Sequence, residues 1–149
     1  MRTFSAGSTA AIIALATVAG SAADISGKWT APFQEGPGRR TLTIAFQFAV
    51  HGDQLTGAVE YPVPLGETEK VEYANMAILE GKVNGDRIVF KHAYGYANLF
   101  NCVYRGTVSS DGNTIEFTRF LEPTAAAQAR GMRGKGRDVT FEATRASAK

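Results

Sequence analysis

The stretch Thr41-Leu42-Thr43-Ile44-Ala45-Phe46-Gln47-Phe48-Ala49-Val50 places its large apolar residues at 42, 44, 46, 48 and 50, with small or polar residues between them. Successive side chains of a β-strand point to opposite faces of the sheet, so this period of two is that of a strand with one buried face. After His51-Gly52-Asp53-Gln54 the same alternation resumes at Leu55, Gly57, Val59 and Tyr61. Two alternating runs across a short polar break make a hairpin.

Two further hairpins repeat one plan. Gly81-Lys82-Val83-Asn84-Gly85-Asp86-Arg87-Ile88-Val89-Phe90 turns at Asn84-Gly85, a dipeptide that accepts the positive φ angles of a two-residue loop. Gly106-Thr107-Val108 leads through an Asp111-Gly112 loop to Ile115-Glu116-Phe117. In both, a Gly-x-Val strand enters and an Ile-x-Phe strand leaves. Val, Ile and Phe then line one interior, and the glycine relieves crowding inside it. A lone hairpin cannot bury such a face, so the copies belong to one larger sheet.

Eight strands are read in this way, at about 26–32, 41–50, 54–61, 71–82, 87–93, 99–108, 114–121 and 137–145. Pro62 to Lys70 reads as a loop, because its prolines cannot donate to a ladder. Pro123 to Gly136 reads as a second, with one helical turn capped by Thr124. The fold class is therefore all-β, an antiparallel up-and-down meander. Closure into an eight-stranded barrel is the expected form, since closure removes the exposed edges; an open sandwich is the alternative. Such a barrel has room for side chains or one small ligand.

The start of the chain reads as an export signal. Arg2 precedes an apolar run from Ala10 to Ala19, and Ser21-Ala22-Ala23 offers small residues for a cut before Asp24. The run is shorter than the ~20 residues that span a bilayer. Residues 1–23 are thus expected to be a signal peptide, and 24–149 a single barrel domain, secreted or periplasmic, with no stable membrane anchor. The formal net charge is +2, one unit of which is Arg2, too small a basic balance for a dedicated nucleic-acid binder. Cys102 is the only cysteine, so no disulfide forms within the chain. Zinc motifs are absent, and no metal or other cofactor is implied. The sequence leaves the oligomeric state open.

Asp24-Ile25-Ser26-Gly27-Lys28-Trp29-Thr30 carries a Gly-x-Trp at the first strand. In this it resembles lipocalins and avidin-like barrels, and with its Leu55-Thr56-Gly57 and Gly-x-Val hairpins it is similar to small secreted bacterial β-barrel proteins of the calycin kind. The resemblance spans residues 24–145 and implies a barrel; the inward Phe, Ile, Val and Tyr with one polar end point to a barrel that holds a small molecule in a partly apolar, partly polar pocket. It does not extend to biotin: Trp29 is the only Trp, so later biotin-packing tryptophans have no counterpart. Paired cysteines of secreted lipocalins are missing as well. Trp29 reads as a plug at the closed end, with an indole N–H in need of a partner.

Parity also selects a polar group. If Ile88 and Phe90 face inward, so does His92; Cys102 and Tyr104 share the face of Val108; Arg119 follows Ile115 and Phe117. His92, Tyr104 and Arg119 thereby meet near one barrel mouth, with at least two heads expected to reach one cavity. Together with Phe117 and with Tyr94, from the aromatic connection Tyr94–Phe100, they are the candidate ligand-binding residues. A buried Arg needs a partner, and such a group suits a carboxylate or enolate. His92, Tyr104 and Arg119 are equally the candidate catalytic residues of a cofactor-free isomerase or cyclase, the alternative to a binding protein. A third reading is a structural or interaction domain with a packed core. Cys102 reads as a small buried hydrophobe, His51 as a solvated turn residue, and the basic stretch Arg130–Arg137 as a solvated loop. Protein recovered from an exporting host is expected to begin at Asp24 or within a few residues of it; N-terminal sequencing that returns Met1 contradicts the export reading.

Overall fold

The computed structural model describes residues 23–34, 38, 40–64, 70–134 and 136–146. Residues 1–22 of the expected export signal, and Lys135 of the basic loop, lie outside them.

The alternating runs form strands β1 (Gly27–Phe33), β2 (Leu42–His51), β3 (Gln54–Pro64), β4 (Val71–Ala77), β5 (Leu79–Asn84), β6 (Arg87–Tyr94), β7 (Phe100–Val108), β8 (Thr114–Pro123) and β9 (Val139–Arg145). All neighbours are antiparallel. Pairing runs from β1 through β2, β3, β5, β6, β7 and β8 to β9, which returns to β1. This is a closed eight-stranded barrel, and β4 is an additional strand held by β3 alone. Helix α1 (Ala125–Ala129) follows β8; the Thr124 side chain accepts from the Ala127 N–H, the expected cap.

Three expectations need correction. The single strand read over 71–82 is two, β4 and β5, broken at Ile78. The cause lies at Glu80 and Gly81, where β5 carries one residue more than β6 between the pairs Leu79↔Lys91 and Lys82↔Val89. Glu80 adopts a positive φ of 49°. An extra residue of this kind is a β-bulge, which bends its strand and ends regular pairing. Second, β3 continues through Pro62 and Val63, where a loop was expected. Its ladder with β2 stops at Glu60, so the prolines sit on a strand with one free edge, where a missing donor is tolerated. Third, the β5–β6 loop residues are Gly85 and Asp86, since Asn84 pairs with Arg87. Gly85 alone takes the positive φ, 59°.

The inward residues anticipated from the alternation form the core. Ile44, Phe46, Phe48, Leu55, Val59, Ile88, Phe90, Tyr104, Ile115 and Phe117 are all buried. Phe46 is the hub, with ring centres of Phe48, Phe90, Tyr104, Phe117 and Phe141 at 5.2 to 6.3 Å. The middle of the barrel is thus filled with rings.

Residues 23–26 close the base. The Ala23 N–H donates to the Gly85 carbonyl, and Ile25 is completely buried. Trp29 is buried beside it, and its indole N–H donates to the Ile25 carbonyl at 2.8 Å. The Arg145 guanidinium lies over the Trp29 ring, 4.6 Å from its centre, and donates to the carbonyls of Asp24, Ser26 and Gly112. Nothing in the sequence pattern singled out Arg145, whose work is done through backbone acceptors far away in the chain.

The glycines of the repeated hairpins are tested by what a Cβ would meet. At Gly106 it would fall 2.6 Å from the Phe117 ring, and at Gly81 it would fall on the Leu55 carbonyl of the neighbouring strand. The first is crowding inside the core, as expected; the second is close approach of two backbones at the bulge. Gly106→Ala and Gly81→Ala are each expected to lower the unfolding free energy by about 1–3 kcal/mol, read from urea midpoints, with Gly81→Ala the worse because backbone cannot step aside.

Candidate functional site

The bulge decides where the barrel opens. Pairing between β5 and β6 stops at Leu79↔Lys91, so His92, Ala93 and Tyr94 of β6 face β4 with no ladder between them. A cleft of about 340 Å³ lies in this seam. Tyr61, Pro62 and Val63 wall it from β3, Ala74 and Met76 from β4, and His92, Ala93 and Tyr94 from β6, with Gly95 and Asn98 at the adjoining turn. The lining is mostly apolar, and the volume falls within the range of small-ligand sites.

His92 stands between this cleft and a buried polar cluster. Its Nδ1 lies 2.8 Å from the Ala93 carbonyl, which can only accept, so Nδ1 carries the proton. Its Nε2, 3.0 Å from the Tyr104 hydroxyl, then accepts from it. The Tyr104 oxygen in turn accepts from the Cys102 thiol at 3.7 Å, and the Cys102 sulfur accepts from Arg119 Nε at 2.7 Å. Every donor in the sequence Arg119, Cys102, Tyr104, His92 points the same way, toward the Ala93 carbonyl. A fifth group joins at the other side, where Arg119 Nη2 donates to the Tyr61 hydroxyl at 2.6 Å.

Burial sets the protonation states. It pulls His92 down from 6.5 to about 4, against the Ala93 carbonyl and with help from the Arg119 charge, so the imidazole is neutral near pH 7. Burial, with Cys102 close by, holds the Tyr104 phenol well above its ordinary value. Burial opposes the Arg119 charge, but Cys102, Tyr61 and Tyr104 outweigh it and hold the guanidinium's pKa above its ordinary value. The head is also boxed by the rings of Phe33, Tyr61 and Tyr94, at 4.8, 5.3 and 5.7 Å. Ring faces of this kind favour a cation.

The structure brings His92, Tyr104 and Arg119 together, all buried and all facing inward. Among the five residues singled out for binding, His92 and Tyr94 line the cleft. Tyr104 and Arg119 stand behind it in the polar cluster, and Phe117 lies deeper, among the core rings. Of the trio, His92 alone forms cleft wall. Missing from the sequence reading are Met76 and Ala74, whereas Gly95 and Asn98 belong to the Tyr94–Phe100 connection noted there. Tyr61 shared the inward parity of Leu55 and Val59, but its meeting with Arg119 spans 58 residues and is visible only once the barrel closes. Comparison of the chain with protein-family models, curated proteins and solved structures finds no match. No helix of the described residues is long and apolar enough to cross a membrane.

The His92 environment has a consequence for stability. A histidine whose folded pKa is depressed takes up its proton first in the unfolded chain as pH falls. Its contribution is complete above pH 6.5, is lost progressively toward pH 4, and is constant below that. The loss amounts to roughly 3 kcal/mol, to be read as urea midpoints falling across this window. His92→Gln is expected to flatten that part of the profile.

Proposed function

We propose that the protein is a small-molecule-binding barrel of the calycin-like kind, secreted or periplasmic, whose ligand occupies the seam between β4 and β6. The observation that carries this is the seam itself. In the wall of a barrel whose centre is packed with phenyl rings lies a cleft of about 340 Å³, mostly apolar, with a neutral histidine and an asparagine among its polar residues. A fold that needed only a solid core would gain by zipping β4 onto β6, which would bury more apolar area and satisfy two free edges. The bulge at Glu80–Gly81 holds them apart. Localisation rests on the n-, h- and c-regions of residues 1–23.

The ligand is small, with a body that fits between the Tyr61 and Tyr94 rings on one side and Ala74 and Met76 on the other. Protein purified from its own host is expected to carry a small molecule into native mass spectrometry. In a screen of small apolar compounds by nuclear magnetic resonance, the amides of Ala74, Met76, Ala93 and Tyr94 are expected to move together. Ala74→Trp, which fills the cleft, is expected to weaken binding at least tenfold without loss of fold. Compounds that perturb only the outer face, or none that bind, would overturn the reading.

A further inference from the structure

We infer that the ligand of the seam carries a single carboxylate and that Arg119 is its counter-charge; this rests on the binding reading above. Arg119 is only 6 % exposed, yet among the described residues no carboxylate pairs with it. Its hydrogen bonds go to a sulfur and a phenol oxygen. Along the hydrogen-bonded path the Cys102 thiol donates to Tyr104, the Tyr104 hydroxyl sits on the His92 ring nitrogen, and His92 is neutral. A buried cation is costly to hold unless it is paired with an anion.

The guanidinium also has donors to spare. It has five N–H groups, and two of them make the bonds just named. Nη1 donates no hydrogen bond, whereas every fully enclosed side-chain nitrogen and oxygen among the described residues has a partner. Nη1 is therefore not sealed off. The rings that box the head include Tyr61 and Tyr94, the two aromatic walls of the cleft. Tyr94 lies at the half-buried end of β6 with its ring against the guanidinium and in the cleft lining, so rotation of that ring is the route by which the proposed ligand would meet Nη1. The Coulombic match then takes place in a low-dielectric setting, where a charge-assisted bond to carboxylate is strong. One guanidinium balances one negative charge. A phosphate dianion would leave a second charge against Pro62, Val63, Ala74 and Met76, so the match is to a monoanionic acid with an apolar body.

The test compares acids with their uncharged isosteres. Phenylacetate and octanoate are expected to bind the wild-type protein at least tenfold tighter than phenylacetamide and octanamide at neutral pH. Arg119→Gln is expected to erase that preference, bringing each acid to the level of its amide, and Ala74→Trp to weaken both members of each pair. Amides that bind as tightly as acids overturn the carboxylate while leaving the seam as a binding site. Acids whose affinity Ala74→Trp does not change bind elsewhere and overturn the inference. If neither acids nor amides bind, the inference and the binding reading fall together. Should Arg119→Gln not fold, the acid and amide pairs on the wild-type protein decide the question alone.

Discussion

The backbone crossing at Gly81 governs the shape of the molecule. There β5 lies so close to Leu55 of β3 that a Cβ has no room, and the extra residue at Glu80 bends the chain away from β6. Below this point β5 bridges β3 and β6 and the cylinder is complete. Above it β4 follows β3 alone, and the wall parts. One local irregularity therefore converts a sealed barrel into one with a lateral opening. It also explains why the polar residues gather where they do: the end of the barrel that cannot close its ladder is the end at which His92, Tyr61 and Arg119 are found.

Two kinds of packing divide the interior. From the base to the middle, aromatic and aliphatic side chains interlock, and Phe46 packs against five other rings. Toward the mouth the same inward positions carry groups that hydrogen-bond to one another. Their donors run in one direction from Arg119 to the Ala93 carbonyl, so the guanidinium polarises each bond after it and the arrangement is cooperative. Interlocked rings below and aligned hydrogen bonds above leave little freedom at His92, which then presents a fixed edge to the seam. Among the described residues the centre of the barrel is filled with rings, and the cleft lined by His92 and Tyr94 lies in the wall.

The period of two was enough to read the strands and the inward faces, because each barrel wall has one buried side and the alternation is regular through β2, β3, β6, β7 and β8. That parity also put His92, Tyr104 and Arg119 on the inside. The break between β4 and β5 was not legible, since a bulge needs only one residue in a positive φ conformation and Glu80 does not advertise it as a glycine would. The extension of β3 through Pro62 was hidden for a related reason: proline excludes a strand only where both edges are paired, and the loss of β2 beyond Glu60 is a matter of strand length and shear. The seam follows from both, which is why Met76 and Ala74 escaped notice while Tyr94 did not. Tyr61 and Arg119 illustrate the remaining gap. Each could be assigned a face from its own strand, but their meeting depends on which strands become neighbours.

The tie between Trp29 and Arg145 fixes the order in which the fold can come together. It joins the first strand to the ninth, with hydrogen bonds reaching back over 119 and 121 positions to Ser26 and Asp24. No part of the chain can close the cylinder early, because the strand that completes it is made last. Most pairings join consecutive strands, but closure needs the remote β1–β9 pair, and all-β topologies fold slowly, on roughly the millisecond-to-second scale. Until β9 arrives, β1 and β8 each present an open edge, and the interval before closure is when the chain is most exposed to pairing with its own copies.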